Sequence, residues 1–294
     1  MAQLVNKRTL GDTTEQAPGL ASHLGRLFLT WKGAGNDNLN ILFSSDDGNS
    51  FGGTVTYGDA SDQGPALAAS EQDGLWLAWK GSGNDNLNIA RVELGGDTAG
   101  GFWIEPDLVD KVVLHELSSA GPAFAYHDTE RCLGWKGSGN DNLNMMRAGA
   151  NGPAAGPKIT YGDASDRAPA LADHNGVLFM AWKGSGNENV NVARAPVSTT
   201  GMGTDLTDKV TLGDTTEQGP ALASNGTVLC LAWKGAGNDN LNVLFSADGR
   251  SWGGKTTFGD ASDRQPALAR HGRRLLLAWK GSGNENLNVA EVVP

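Results

Sequence analysis

The stretch Trp79–Asn88, WKGSGNDNLN, decides how the rest of the chain is read, because it recurs. WKGAGNDNLN begins at Trp31 and again at Trp233, WKGSGNDNLN at Trp135, WKGSGNENVN at Trp182 and WKGSGNENLN at Trp279. Copies at intervals of about fifty residues mark a propeller or a solenoid, in which each repeat is one supersecondary unit. A proline precedes every copy, at Pro18, Pro65, Pro122, Pro169, Pro220 and Pro266, in runs such as GPALA. A third landmark follows the pattern Lys-x-Thr-(aromatic or Leu)-Gly-Asp. It reads KRTLGD from Lys7, TVTYGD from Thr54, KVVLHE from Lys111, KITYGD from Lys158, KVTLGD from Lys209 and KTTFGD from Lys255.

Each unit reads as four short strands. Strand A follows the proline, strand B is a run such as LWLAWK (75–80), strand C begins at LNIARV (87–92), and strand D is the Lys-x-Thr segment. Short β-branched and aromatic runs between Gly/Asn/Asp turns favour strand over helix. Strand B is apolar at successive positions, as expected of a strand covered on both faces by neighbouring blades. The expected fold is therefore all-β: a six-bladed β-propeller of four-stranded antiparallel blades in one domain over 1–294. The blades fall at roughly 17–60, 64–117, 121–164, 168–215, 219–261 and 265–294 plus 5–12. The last unit ends without a strand D, and KRTL (7–10) stands spare before the first PGLA, so the N-terminal strand should close the last blade. Odd blades carry short C–D connections, SSDDGNSFGG, RAGANGPAAGPK and SADGRSWGG; even blades carry longer ones, notably 95–110.

Composition narrows the function classes. The 294 residues are 39% hydrophobic and 19% charged, and Gly 42 suits a chain of many turns. A net charge of −10 argues against nucleic acid as a partner, and no apolar run is long enough for membrane insertion. The start shows no signal-peptide core, which leaves a cytoplasmic protein or one exported by another route. Cys132 and Cys230 occupy equivalent places in different repeats and are expected to be free, buried thiols. His23, His127, His174 and His271 each follow the landmark proline by five residues and are expected as polar residues of A–B turns.

In such a blade the B–C and D–A connections emerge on one face. Both recurrent polar motifs, Lys-Gly-x-Gly-Asn-(Asp/Glu)-Asn and Gly-Asp-(Ala/Thr)-(Ser/Thr), therefore share a rim, while the other face carries the variable connections. This places up to six equivalent ligand sites on the rim. The candidate ligand-binding residues are Lys32, Asn36, Asn38, Lys80, Asn84, Asn86, Lys136, Asn140, Asn142, Lys183, Asn187, Asn189, Lys234, Asn238, Asn240, Lys280, Asn284 and Asn286. Asp12, Asp59, Asp163, Asp214 and Asp260 of the D–A segments join them. Ammonium donors, amides and carboxylates together suit the vicinal hydroxyls of a sugar. Trp31, Trp79, Trp135, Trp182, Trp233 and Trp279 are candidates to stack on the sugar's apolar side, against the alternative that they fill the space between blades. The lysines have their own alternative, a structural clasp with the Gly-Asp carboxylate. The asparagines could equally satisfy turn backbone. No cofactor is expected; calcium is the one candidate that alternating Asn and Asp oxygens could serve. The third D–A loop, HELSS (115–119), departs from the pattern and is where a pocket would be defective or specialised.

SSDDGNSF (44–51) matches the Ser-x-Asp-x-Gly-x-x-aromatic Asp box, and SADGRSW (246–252) is one residue short of it. With the PALA and LxLAW patterns, the whole chain resembles the sialidase-like Asp-box (BNR repeat) propellers. The resemblance implies that Ser44, Asp46, Gly48 and Phe51, with Ser246, Asp248 and Trp252, are fold elements on the face opposite an active site. The enzyme's own residues do not carry over. The Arg-Ile-Pro signature is absent, tyrosine occurs only at 57, 126 and 161, and Arg8, Arg131 and Arg274 match no motif. The expectation is a lectin-like, non-catalytic member whose partners are glycans or glycoconjugates. A sialidase-type exo-glycosidase and a protein-interaction propeller stand as alternatives, and no oligomeric state is indicated.

Overall fold

The computed structural model describes residues 1–148, 156–198 and 201–294. They form six four-stranded antiparallel sheets and one short hairpin, Val197–Ser198 with Gly201–Met202, and no helix. Blade one consists of Gly19–His23 (A), Arg26–Lys32 (B), Asn38–Ser44 (C) and Gly52–Ala60 (D), hydrogen-bonded in chain order. The next four blades repeat this order over 66–117, 123–164, 170–215 and 221–261. The six A strands touch one another in a closed ring and so line the axis. Blade six holds Ala267–His271, Arg274–Lys280 and Asn286–Val293, and its outer strand is the N-terminal Gln3–Thr13. The two ends of the chain pair from Gln3 opposite Val293 to Thr13 opposite Asn286, which closes the ring as the strand count requires.

The core is divided among the seams. Six apolar clusters each join two neighbouring blades; in one, Phe28, Ile41 and Tyr57 of blade one meet Leu77 and Trp79 of blade two. The recurrent Trp always packs into the seam with the preceding blade, against that blade's outer-strand residue: Tyr57, Leu114, Tyr161, Leu212 and Phe258 face Trp79, Trp135, Trp182, Trp233 and Trp279. Leu10 takes the same place beside Trp31. Burial of strand B at six successive positions in the sequence LWLAWK follows directly, since each of its faces meets a blade. Cys132 and Cys230 are free and buried in different seams, and burial pushes the Cys132 thiol up to about 12.

Two expectations change. The segment 95–110 is not a loop: strand C of blade two runs on to Gly96 and strand D begins at Phe102, with Gly95 opposite Trp103. The four histidines stand at the A–B ends as expected, the last residues of strand A, but they are buried rather than left as surface turn residues. Three of them stitch a blade to the next on the face opposite the rim. His271 Nδ1 lies 2.8 Å from Ser22 Oγ, His174 Nδ1 2.7 Å from Ser224 Oγ, and His127 Nδ1 2.6 Å from the Asp173 carboxylate. The connection read as short in blade three, RAGANGPAAGPK, lies largely outside the described residues.

An unclosed propeller would expose the edge of Asn286–Val293 and the last seam. Deleting residues 1–13 is expected to lower the thermal midpoint by about 10 °C or more and to promote self-association, read by calorimetry and light scattering. A deletion variant that melts with the parent would show that the ring does not need this closure.

Candidate functional site: the polar rim

The B–C loop is built by its glycines and its first asparagine. In blade two, Asn84 Oδ1 accepts the Asn86 backbone N–H at 2.9 Å, and Asn84 Nδ2 donates to Ser82 O at 3.1 Å. This amide lies over Gly81, where a Cβ would stand 2.6 Å from Asn84 Oδ1, and Gly83 holds φ +68°, a region that L side chains rarely adopt. The same bonds recur at Asn36, Asn140, Asn187, Asn238 and Asn284. The first asparagine of each motif is therefore a turn-former, with both ends of its amide in use.

The lysine at the end of strand B is the clasp. Lys32, Lys80, Lys136, Lys183, Lys234 and Lys280 are only 4–8% exposed. Their partners come from the D–A connection, at the second acidic position of Gly-Asp-x-x-(Asp/Glu) and not the first. Lys80, Lys183 and Lys280 each bind Asp62, Asp166 and Asp263 at 2.8 Å; Lys32 binds Glu15 at 2.6 Å, and Lys234 binds Glu217. In the divergent third loop Ser119 replaces the carboxylate and accepts from Lys136 at 2.7 Å. The loop aspartates Asp37, Asp85, Asp141 and Asp239 approach the same lysines at 3.3–3.6 Å. Bonds from these buried ammoniums hold the Glu15 and Glu217 carboxyls below the usual range.

A second latch runs between blades. Ser82, Ser138, Ser185 and Ser282 donate to Asp37, Asp85, Asp141 and Asp239 of the preceding loop. Where the preceding loop carries Glu188 or Glu285, the residue at the serine position is Ala236 or Ala34. The longer side chain swings out to solvent there, and both glutamates are exposed. The serine bond is the largest influence lowering Asp85, Asp141 and Asp239.

These assignments leave a different set facing solvent. The second asparagines, Asn38, Asn86, Asn142, Asn189, Asn240 and Asn286, are exposed or half-buried, and their side-chain amides make no hydrogen bond among the described residues. The first aspartates of the D–A segments form ion pairs across each groove with strand-D lysines of the next blade: Asp59 with Lys111, Asp163 with Lys209, Asp214 with Lys255 and Asp260 with Lys7. Asp12 has no such partner among the described residues, and partial burial raises its carboxyl above the ordinary value. The six tryptophans are 1–3% exposed, so they pack in the seams and at most an edge reaches the floor of a groove. Sequence reasoning missed the strand-D lysines as rim residues. It also missed the third asparagines, of which Asn40, Asn144, Asn191, Asn242 and Asn288 each accept a hydrogen bond from a strand-D threonine at 2.6–2.7 Å. The Lys-x-Thr spacing next to Asn-x-Asn-x-Asn carried that signal, since alternate residues share a face of a strand.

Between blades these groups enclose clefts. One of about 290 Å³ is lined by Asp163, Trp182, Asn187, Asn189, Asn191 and Lys209 among others. Its counterpart at the divergent loop, about 360 Å³, keeps the plan: Glu116 takes the aspartate's place and pairs with Lys158 at 2.7 Å. That groove is modified and remains open. On the axis at the rim side, a smaller cavity of about 150 Å³ is ringed by five of the six landmark prolines with Gln16, Gln63, Arg167 and Arg264. Both arginines already donate to carbonyls, Arg167 to Glu217 O and Arg264 to Glu15 O. On the opposite face Asp46 and Asp248 organise the C–D turns by accepting from Ser50 and Ser251, and both carboxyls fall to about 2. Among the described residues no group of three or more His, Cys, Asp or Glu side chains is arranged to hold a metal ion.

This architecture is a six-bladed β-propeller whose fold is similar to that of sialidases and of other propeller proteins. A Hadza microbial sialidase superposes with a TM-score of 0.64 at 13% identity, covering 94% of this chain and 65% of its own. Trypanosoma rangeli sialidase gives 0.65 at 13%, covering 95% of this chain and 55% of its own, so the chain spans just over half to two thirds of these relatives. A luciferin-regenerating enzyme gives 0.58 at 9% over 98% of this chain and 95% of its own. Such identities show the fold alone, and a fold does not choose a chemistry. No family model and no curated protein matches the sequence.

Removing one clasp leaves carboxylates beside an apolar seam. Because Asp62 is part-exposed, Lys80→Met is expected to cost about 1–3 kcal/mol of stability, less than a fully buried pair would, measured by urea unfolding. The folded-state carboxyls of Asp85, Asp141, Asp239, Asp46 and Asp248 are all depressed, so their stabilisation is complete above the ordinary carboxylate range and is lost as pH falls toward about 2. Urea midpoints should stay flat from pH 7 to about 5 and then decline. Ser138→Ala should make that decline shallower, and an unchanged profile would mean the latch contributes nothing.

Proposed function

We propose that this propeller is a multivalent carbohydrate-binding protein, a lectin, that acts without catalysis on glycans or glycoconjugates and needs no metal. The observation that carries the reading is the recurrence, in the grooves between blades on one face, of a polar cleft with the same residues in the same register. A cleft near 300 Å³ suits a monosaccharide unit. The second asparagine offers a free amide, and the lysine–carboxylate pair supplies donor and acceptor a few ångströms apart, the combination that adjacent hydroxyls use. In this reading Asn38, Asn86, Asn142, Asn189, Asn240 and Asn286 touch the sugar. Lys32 and its five equivalents act as positioning residues, and so do Asn36 and its equivalents. The tryptophans serve the seams. Weak single sites gain strength on a surface that presents many copies of one glycan, by effective concentration.

Two observations support the non-catalytic part. Tyr57 and Tyr161 are buried in seams, and Tyr126, whose hydroxyl bonds Asp73, lines the axial cavity of the opposite face, so no described tyrosine lines the axial cavity on the rim side. Arg8 donates to Asn49 O, Arg131 is buried against Trp76, and Arg274 pairs with Asp47 and Glu291, all away from that cavity. The turns at Asp46 and Asp248 we read as Asp boxes in the structural role that the family resemblance implies.

A glycan array followed by titration tests the reading. Five or six equivalents per chain are expected, and a stoichiometry near one would point instead to the axial cavity. Asn86→Ala should weaken avidity by less than about twofold, whereas alanine at the second asparagine in all six loops should abolish it, about 10²-fold or more. Thermal unfolding should barely move, because these amides make no internal bonds. Unchanged avidity in the sixfold variant would remove the proposed site.

A further inference from the structure

Five of the six grooves carry their own cation. Lys111, Lys158, Lys209, Lys255 and Lys7 stand two residues before the strand-D position paired with the third asparagine: Val113 opposite Asn88, Thr160 opposite Asn144, Thr211 opposite Asn191, Thr257 opposite Asn242 and Thr9 opposite Asn288. In blade one the register is the same, Thr56 opposite Asn40, but the residue two before it is Thr54. The rest of that groove is intact. Ala34 N–H donates to Thr13 O at 3.2 Å and Thr14 N–H to Glu285 O at 2.8 Å, the bonds that fix every other D–A segment against its loop. Asp12 is therefore held where Asp59, Asp163, Asp214 and Asp260 are held, with no lysine opposite.

The other grooves show where the missing side chain would lie. In four grooves the lysine ammonium sits both on the carboxylate and over the indole of the recurrent tryptophan, 5.2–5.7 Å from the ring centroid. Trp31 has no cation over it among the described residues and is the most exposed of the six. A half-buried carboxylate without a counter-charge, an indole beside it and a free Asn38 amide are the requirements for binding an ammonium group.

We infer that the groove between blades six and one binds a primary organic ammonium, in a 2-amino-2-deoxy sugar unit, in the position that strand-D lysines occupy in the other five. The ammonium pairs with Asp12 and lies toward Trp31, and neighbouring hydroxyls meet Asn38, Thr54 and Thr56. N-acetylation would remove the charge and the binding with it. The row of grooves is the one assigned above to glycans, but the ammonium site does not require that assignment, because a simple alkylammonium probe reports on it directly.

The test titrates methylammonium and glucosamine, with glucose and N-acetylglucosamine as neutral comparators, into the ¹⁵N-labelled protein and follows the Trp31 indole and Asn38 amide resonances. Both amines should bind with one equivalent per chain and weaken with salt. Asp12→Asn should reduce binding tenfold or more, and Thr54→Lys should abolish it by filling the place from within. Lys111→Thr should create a second equivalent at Asp59. Amines that shift neither resonance, or amine binding that survives Thr54→Lys, would overturn the inference. Neutral sugars bound in five grooves without amine binding in the sixth would sink this inference alone. Amine binding at Asp12 with no glycan recognised on the array would sink only the lectin reading.

Discussion

The buried ammonium at the end of each second strand is the constraint from which the rim follows. Strand B is covered on both sides by neighbouring blades, and its terminal lysine is carried into that low-polarity surround. An ammonium there is tolerable only when its three donors are met. In five blades the partner is a carboxylate on the incoming D–A segment, and in blade three it is a serine hydroxyl. Meeting that demand pins the D–A segment against the B–C loop. The pinned pair then presents the first aspartate and the second asparagine to the groove. The clefts are in this sense a by-product of satisfying six buried charges.

The division of labour among near-identical residues follows from this. Three asparagines alternate through the motif and do three different things. The first closes the turn over a glycine, the second faces water, and the third, in five of the six blades, ties strand C to a strand-D threonine. Similarly, in four of the D–A segments one acidic residue neutralises the lysine that ends strand B while the other pairs across the groove, as Asp62 and Asp59, Asp166 and Asp163, Glu217 and Asp214, or Asp263 and Asp260 do. The Ser–Asp and Ala–Glu combinations between consecutive loops show the seams tuned one at a time. An aspartate reaches the serine of the next blade and a glutamate does not. The ring is thus sixfold in plan and individual in detail, and Thr54 is the point where one groove departs most in charge.

The opposite face shows what the rim is not. There the C–D connections vary in length, buried histidines join blades through Ser22, Ser224 and Asp173, and acidic turns at Asp46 and Asp248 hold themselves rigid with their own backbone. These contacts are satisfied internally. On the rim, by contrast, the second-asparagine amides meet solvent without an internal partner.

Much of this was legible in the chain. The repeat of WKGxGN at near-constant spacing determined the blade count, and the leftover KRTL segment determined how the ring closes, because both depend only on order along the chain. The shared face of the two polar motifs followed from strand alternation. What the tertiary structure decided was which side chains face outward. Tryptophan, lysine and asparagine in a glycine-rich loop read alike as sugar ligands, and only packing against the next blade shows that the tryptophan is core, the lysine a clasp and the first asparagine a turn. Burial and partner choice arise between segments about fifty residues apart, so no local pattern records them. The absence of one lysine opposite Asp12 was printed in the sequence as TVTYGD; its meaning as an empty place depended on knowing what the other five lysines touch.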